Sequence, residues 1–487
     1  MTQNYINGEW KSGNGEIFKS YNPVSGNEIW EGCASLKSDV KNAIGAANNA
    51  FVAWAELSLD ARVQFLQKFV DLVSEYKEEI ANVISEETGK ALWDARGEPG
   101  AMVGKLAISI KAYEERTGSK SSVNGAVRAK INHKPLGVIV VFGPFNFPAH
   151  LPNGHIIPAL LAGNTVVFKP SEQTPKTADF IFKLWKKAGL PKGVINLVQG
   201  AGETGKALVA SKNINGVLFT GSLGVGQILS RQLSQRLGVM LALELGGNNP
   251  LIYWGAEDVI AAAIMIIQSS YVSQGQRCTC ARRLIVPSGE VGDVLINALI
   301  NAISKIKIGF PNADPQPFIG SLISNQAAKG MLKAQENLIA NGGKALVEAK
   351  TLPIGDAFIS PGLIDVTNIE GRTDEEFFGP LLQVIRVSNI EEALKEANDT
   401  QFGLAAGIIT DDREVYEYFY KKSRAGIVNW NQPLTGASGS APFGGPGASG
   451  NLRPSAYYAA DYCAYPTASL ENNEGIARLG ALPPGLE

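Results

Sequence analysis

The segment Val217-Leu218-Phe219-Thr220-Gly221-Ser222-Leu223-Gly224-Val225-Gly226 reads as the end of a strand, a tight turn and the start of a helix. Three apolar residues run into Thr220-Gly221, and the glycines at 224 and 226 let a ligand come close to the backbone at a helix N-terminus. Ser222 can donate to an anion there. The same plan recurs upstream, where Val138–Phe142, Thr165–Phe168 and Val194–Val198 are short apolar runs closed by turn residues and followed by helical stretches. Strands alternating with helices at such intervals predict βαβ units around a parallel sheet, so the fold class is α/β.

Working outward, a second α/β region is expected over about 247–430, with a helix at Val259–Ser270 and a strand at Leu381–Val387. The first 115 residues or so read as helices after a short polar start. Val40, Ile44, Ala47 and Phe51 form one helical face. Ser58 is placed to cap a second helix whose stripe is Val63, Leu66, Val70 and Val73.

A second glycine loop, Gly200-Ala201-Gly202-Glu203-Thr204-Gly205-Lys206, satisfies both G-x-G-x-x-G and G-x-x-x-x-G-K. A P-loop needs Ser or Thr after the lysine, and Ala207 stands there. A dinucleotide fingerprint needs an acid at the end of the next strand, which instead closes Phe219-Thr220-Gly221. A plain tight turn is the better reading.

The length of 487 residues corresponds to roughly three lobes of about 150 residues each. Lys and Arg total 44 against 46 for Asp and Glu, so no basic excess draws the chain to nucleic acid. The start, MTQNYINGEW, lacks a basic stretch followed by an apolar one. The longest apolar runs, Gly137 to Phe142 and Ile260 to Ile267, fall short of the roughly 18 residues of a membrane span. Four cysteines, at 33, 278, 280 and 463, make no disulfide framework, and with His133, His150 and His155 they offer no four-ligand zinc spacing. A cytoplasmic, soluble, metal-free protein is expected. Thr435–Asn451, with glycines at 436, 439, 444, 445, 447 and 450, has the composition of a flexible linker. The polar end from Asn472 onward is expected to fray.

Taken in order, several segments resemble the aldehyde dehydrogenase superfamily over nearly the whole chain. Phe145-Asn146-Phe147-Pro148 resembles its oxyanion loop, Lys169-Pro170-Ser171-Glu172 its adenosine-ribose site, and Phe219-Thr220-Gly221-Ser222 through Gly226 its pyrophosphate turn. Glu244-Leu245-Gly246-Gly247 is similar to its general-base motif and Gly275-Gln276-Arg277-Cys278 to its nucleophile motif. Glu376-Phe377-Phe378-Gly379-Pro380 is similar to its nicotinamide-ribose contact, and Pro442-Phe443-Gly444-Gly445 to its late glycine turn. Seven motifs in sequence imply that Thr435–Asn451 is an ordered loop. Phe147–His155, Cys278–Arg283 and Asn451–Tyr458 are unusual within the superfamily. They resemble the branch that oxidises the semialdehyde of N-succinylglutamate with NAD in arginine breakdown.

The resemblance implies a cofactor, NAD, and named roles. Oxidation by hydride transfer first needs a tetrahedral carbon, and a cysteine thiolate forms one by attack. Cys278 takes that role, with the oxyanion held by the Asn146 amide and the Cys278 N–H. Glu244 would activate water to release the acid from the thioester, a choice that disfavours transfer to coenzyme A. Lys169 and Glu172 would hold the adenosine ribose, with Glu172 repelling a 2′-phosphate. Gly221, Ser222 and Gly226 would face the pyrophosphate, Thr220 the nicotinamide, and Glu376 with Phe378 its ribose. Cys33 and Cys463 read as inert buried thiols. Cys280 also reads as structural, although on a strand it would face the same side as Cys278. The substrate's carboxylates require cations or several donors. Arg277 and Arg453 are the candidates, each equally readable as a structural ion-pair residue. His150 and His155 read as packing residues.

The expected organisation is a Rossmann-like NAD-binding domain over 1–117 and 138–246 and a catalytic domain over 247–430. An oligomerisation flap is expected over 118–137 and 456–470, a bridging loop over 431–455 and a tail over 471–487. Exposed flap edges imply a homodimer or homotetramer. Two rival classes are a P-loop NTPase built on Gly200–Lys206 and a non-catalytic protein on this fold. The first lacks its hydroxyl at residue 207, and the second predicts damage at Cys278, Glu244 or Asn146, all intact. Within the enzyme class, the alternative is a dehydrogenase of another semialdehyde.

Overall fold

The computed structural model describes residues 3–472 and 484–486. Two seven-stranded sheets and a three-stranded one organise them. The first sheet runs Met240–Glu244, Gly216–Thr220, Val138–Phe142, Thr165–Lys169, Ile195–Leu197, Asn4–Ile6, Glu9–Lys11. Its first five strands are parallel, as the alternation of strand and helix implies. Val138–Phe142 and Thr165–Lys169 are buried at every position. Continuous Val-rich runs of this kind belong to strands covered on both faces. The helices His150–Ala162 and Pro175–Ala188 cover one face, and Lys37–Ala55 and Leu223–Leu233 the other.

Chain order decides where a ligand can sit. The parallel strands start at Val138–Phe142, run to one side through Thr165–Lys169 and Ile195–Leu197, then return on the other through Gly216–Thr220 and Met240–Glu244. The reversal leaves a crevice beyond the carboxyl ends of Val138–Phe142 and Gly216–Thr220. Asn146 follows the first of these ends and Ser222 the second.

The second sheet runs Lys344–Val347, Gly362–Asp365, Leu381–Val387, Ala281–Pro287, Asn249–Tyr253, Ala405–Ile409, Ile427–Trp430. All its pairings are parallel except that of Lys344–Val347. Glu244 ends a strand of the first sheet and Asn249 begins one of the second. The carboxyl edge of one sheet therefore leads directly into the amino edge of the other, and Cys278 precedes the strand Ala281–Pro287 at that edge.

Three expectations need correction. The N-terminal region opens with strands Asn4–Ile6, Glu9–Lys11, Ile17–Tyr21 and Glu28–Cys33 before its first helix, Lys37–Ala55. The first two add antiparallel to the first sheet, and three-residue strands are too short to show alternation. The C-terminal strand is Ala464–Asn472, not a run from 456. Ser455–Ala456 pairs instead with Pro442–Phe443, and a short helix, Ala459–Tyr462, intervenes. That strand pairs with Val127–Pro135, itself paired with Lys120–Asn124. Finally, Cys33, expected as a buried thiol, is only partly buried, because its strand Glu28–Cys33 belongs to a two-stranded ribbon. The fraying expected beyond Asn472 concerns residues mostly outside those described.

The cap by Ser58 is present, its side chain accepting from the Ala61 N–H. The glycine-rich loop is pinned rather than loose. Asn451 accepts from the Leu243 N–H and donates to the Leu241 carbonyl, while Ser449 donates to the Gly246 carbonyl. A Cβ on Gly426 would lie 1.8 Å from the Gly444 carbonyl oxygen, so glycine there permits backbone to touch backbone.

Candidate active site

The turn that carries Cys278 is held from several directions. Ser273, Gln274 and Gly275 have φ of 54°, 56° and 68°, a left-handed run that two of them adopt at a cost. Contacts from elsewhere impose it: Gln274 Nε2 donates to the Gly320 carbonyl, and Ser273 Oγ donates to Asp94. Arg282, fully buried, donates to the carbonyls of Gly275 at 2.7 Å and Arg277 at 2.9 Å. Asn249 Nδ2 binds the carbonyls of Cys278 at 2.7 Å and Cys280 at 2.8 Å. Cys278 lies in this turn rather than in a strand, so the alternation that would have put Cys280 beside it does not apply. Cys280 is wholly buried, its thiol near the Val272 carbonyl.

Asn146 is buried, with Nδ2 donating to the Gln276 carbonyl at 2.9 Å. Its own carbonyl accepts from Lys90 Nζ at 2.8 Å. Lys90 pairs with Glu98 at 3.0 Å, and Glu98 also accepts the N–H groups of Ala149 and His150. The oxyanion loop is thereby tied to the nucleophile turn on one side and to a buried ion pair on the other. The Cys278 N–H has no backbone acceptor among the described residues.

Glu244 is buried at its strand end; Oε1 accepts the Ser455 N–H at 3.1 Å and Oε2 has no partner. Burial pushes its pKa well above the usual carboxylate value, with the Ser455 bond opposing weakly. Burial likewise pushes the Cys278 thiol up to about 12, helped by the negative charges of Glu376 and Glu244. A cavity of ≈ 220 Å³ opens beside Glu244, lined by Pro442, Gly444, Asn451, Arg453 and Pro454.

The remaining candidates fall on the crevice side. Ser222 is the N-cap of the helix Leu223–Leu233, and its side chain caps nothing, which leaves the helix's first N–H groups open. A Cβ on Gly226 would meet Leu245 at 2.7 Å, and one on Gly246 would overlap the Glu376 carboxylate. Gly221 donates to the Glu244 carbonyl at 3.0 Å. Lys169 is buried and donates to the carbonyls of Pro170 and Gly200 at 2.8 and 2.7 Å, while half-exposed Glu172 lies 3.6 Å away. Glu376 sits 3.5 Å from Arg282, and Phe378 meets Phe145 edge to face. These groups suit a dinucleotide: an open helix N-terminus for a pyrophosphate, glycines where backbone must be approached, and carboxylates for ribose hydroxyls.

A sequence profile describing the aldehyde dehydrogenase family matches residues 10–467. This chain belongs to that family. A family member from Chromobacterium violaceum, N-succinylglutamate 5-semialdehyde dehydrogenase, is 53% identical over 486 residues, which is 100% of each chain. Among solved structures, an NADP-dependent enzyme of E. coli superposes with a TM-score of 0.91 at 30% identity, covering 97% of this chain and 98% of that one. The NAD⁺ complex of a Bacillus cereus aldehyde dehydrogenase gives 0.90 at 29%, covering 97% and 96%. An NADP complex of Bacillus halodurans glyceraldehyde-3-phosphate dehydrogenase gives 0.90 at 28%, covering 97% and 99%. Aldehyde dehydrogenases act on small-molecule aldehydes with NAD or NADP, and commonly assemble as oligomers. Among the described residues no helix is long and apolar enough to cross a membrane, and no group of three or more His, Cys, Asp or Glu is placed to hold a metal.

Two expected positions turn out otherwise occupied. Arg277 points its guanidinium at Asp94, 2.6 Å away, and donates to Ser273, so it braces the nucleophile turn. Thr220 shares its hydroxyl with His155 Nε2 at 3.0 Å, and His155 Nδ1 meets Tyr462 at 2.9 Å. Arg453 is exposed at the cavity rim. Lys90, Glu98, Asn249, Arg282 and Ser455 escaped the sequence reading as site residues. Arg282 and Ser455 carried a local signal, inside the unusual segments Cys278–Arg283 and Asn451–Tyr458.

Proposed function

We propose that this chain oxidises N-succinyl-L-glutamate 5-semialdehyde to N-succinyl-L-glutamate with NAD, as a step of arginine breakdown. The observation that carries this reading is the 53% identity, across the full length of both chains, to an enzyme of that name. Cys278, its proton released to solvent water, adds as a thiolate to the aldehyde carbon, and the new oxyanion takes a hydrogen bond from the second Asn146 N–H and one from the Cys278 N–H. The nicotinamide, when bound, accepts the hydride that leaves this carbon. Cys278 then holds a thioester. Glu244 takes a proton from water, the resulting hydroxide attacks the thioester carbon, and the C–S bond breaks to release the acid and the Cys278 thiolate. The buried, unpartnered Oε2 and the raised pKa of Glu244 support its role as base near neutral pH. Its single anchor, the Ser455 N–H, leaves that oxygen available.

NAD is preferred over NADP in this reading because the Glu172 carboxylate would face a 2′-phosphate with like charge. Lys169, Gly221, Ser222, Gly226, Glu376 and Phe378 would hold the rest of the coenzyme. The flap sheet leaves Val123, Val127, Ile131, Tyr465 and Leu470 exposed, which supports a homodimer or homotetramer sealed there. The four free thiols fit a reducing compartment such as the cytoplasm.

The test is NADH formation across a panel of N-succinylglutamate, glutamate and succinate semialdehydes and pentanal. The first should exceed the others in kcat/KM by about tenfold or more. A different winner would transfer the assignment to that semialdehyde.

A further inference from the structure

Lys105 is a buried cation without a counter-ion. It lies on the helix Gly97–Thr117, 4% exposed, and its ammonium donates to a single acceptor, the Ala456 carbonyl at 2.8 Å. Nearby Lys90, equally enclosed, has Glu98 at 3.0 Å, whereas no carboxylate pairs with Lys105 among the described residues. Burial pulls the Lys105 pKa down to about 8, as expected for an ammonium that has lost water and gained no partner charge. Interiors leave few polar groups in this condition.

Three more unsatisfied groups lie on its own helix and on the helix His150–Ala162 packed against it. Ser109 lies one turn further along the same helix face, buried, with its Oγ unpartnered. On the helix His150–Ala162, Nδ1 of His150 and Nδ2 of Asn153 are buried without partners, three residues apart on one face. The helices that carry Lys105 and His150 pack against each other, and the charges of Lys105 and Lys90 both bear on His150. Burial and those charges lower the His150 pKa to about 4, so the ring is neutral and keeps one N–H. Cys463, also near Lys105, is held as a neutral thiol by its burial.

The location matters as much as the chemistry. Ala456 is held at φ 58°, a left-handed conformation unfavourable for alanine, and its neighbour Ser455 is the residue that anchors Glu244. His150 begins the helix that follows the Asn146 loop. Lys105 is thus bonded to the segment that anchors the general base, and His150 adjoins the loop of the oxyanion donor.

We propose that Lys105, Ser109, His150 and Asn153 form an anion subsite that binds a carboxylate of the aldehyde substrate and so selects acidic semialdehydes. This rests on the reading of the substrate as an N-succinylated acid. A carboxylate brings the missing countercharge to Lys105 and two oxygens for the remaining donors. Arg277, the arginine beside the nucleophile, is already committed to Asp94.

The experiment measures kcat/KM for N-succinylglutamate semialdehyde and for pentanal in the full-length enzyme and in Lys105→Met, which keeps the chain length and removes the charge. The ratio of the two should fall roughly 10- to 100-fold in the variant, the effect of losing one charge-assisted contact. An unchanged ratio, or equal losses on both substrates, overturns the subsite. Should Lys105→Met fail to fold, Ser109→Ala reads the same ratio and should lower it several-fold. If the parent enzyme shows no preference for the acid over pentanal, the substrate reading fails on its own. Glutarate as an inhibitor of pentanal oxidation then decides the subsite: competitive inhibition that weakens in the Lys105 or Ser109 variant upholds it, and its absence in the parent enzyme removes it.

Discussion

The Ser455 N–H donates to Glu244 Oε1 at 3.1 Å, while Oε2 of the same carboxylate is buried without a partner. A residue of the late loop thus orients the proposed base through one oxygen and leaves the other to meet water. Desolvation raises the Glu244 pKa, so the protonated form persists above the ordinary carboxylate range.

That shift has a direction in pH. The base works only when ionised, so steady-state turnover should fall as pH drops through the raised pKa, with an acid limb lying above the model-peptide range for glutamate. Glu244→Gln should abolish this limb and slow turnover about 100- to 10,000-fold. A first turnover of NADH should survive, and mass spectrometry should find an acyl adduct on Cys278. Steady turnover without an adduct would remove Glu244 from the role.

Cys278→Ala should eliminate NADH formation and leave NAD binding intact, measured by fluorescence titration. In the parent enzyme without coenzyme the thiol is held up to about 12 by burial and the nearby carboxylates. Its alkylation by iodoacetamide should therefore accelerate about tenfold per pH unit through pH ~9, without the early plateau of an activated thiolate. Loss of activity in Cys280→Ala with retention in Cys278→Ala would reassign the nucleophile.

Glu172→Gln removes the carboxylate 3.6 Å from Lys169 without changing its size. The NADP-to-NAD ratio of kcat/KM should rise roughly fivefold, because a screened like-charge repulsion of about 1 kcal/mol disappears. No change in this ratio would show that coenzyme choice is made elsewhere.

Arg277→Ala and Arg453→Ala separate bracing from binding. The first leaves buried Asp94 without its cation, so the protein should lose about 3 kcal/mol of stability and lose activity equally on acidic and neutral aldehydes. The second removes an exposed side chain at the cavity rim, and thermal unfolding should scarcely move. A selective rise in KM for the acidic substrate in Arg277→Ala would restore that arginine as a carboxylate ligand.

Local chemistry explains what could be read early. The strands Val138–Phe142, Val259–Ser270 as a helix, and Leu381–Val387 have the observed bounds because runs of buried β-branched residues and capped periodic stretches carry their signal within a few residues. Motif spacing marked Asn146, Glu244 and Cys278 as candidates. The strands Asn4–Ile6 and Glu9–Lys11 were illegible, since three residues hold no period and Leu197, which pairs the first of them into the sheet, is far along the chain. Arg277 was ambiguous for a related reason: its partner Asp94 is contributed by another part of the chain.

From the sequence alone follow the α/β class, the order of glycine turns and the residue types able to perform thiol, oxyanion and base chemistry, because each depends on neighbours a few positions away. Only the tertiary structure decides how these groups are held and what surrounds them. Glu244 takes its anchor from Ser455, Cys278 its brace from Asn249 and Arg282, and Asn146 its tether from Lys90. Lys105 looks like any helical lysine in the sequence, and becomes an unpaired buried cation only when the Ala456 carbonyl and the helix His150–Ala162 close over it. Burial and long-range hydrogen bonds set charge states and orientation, and neither is a property of a segment read by itself.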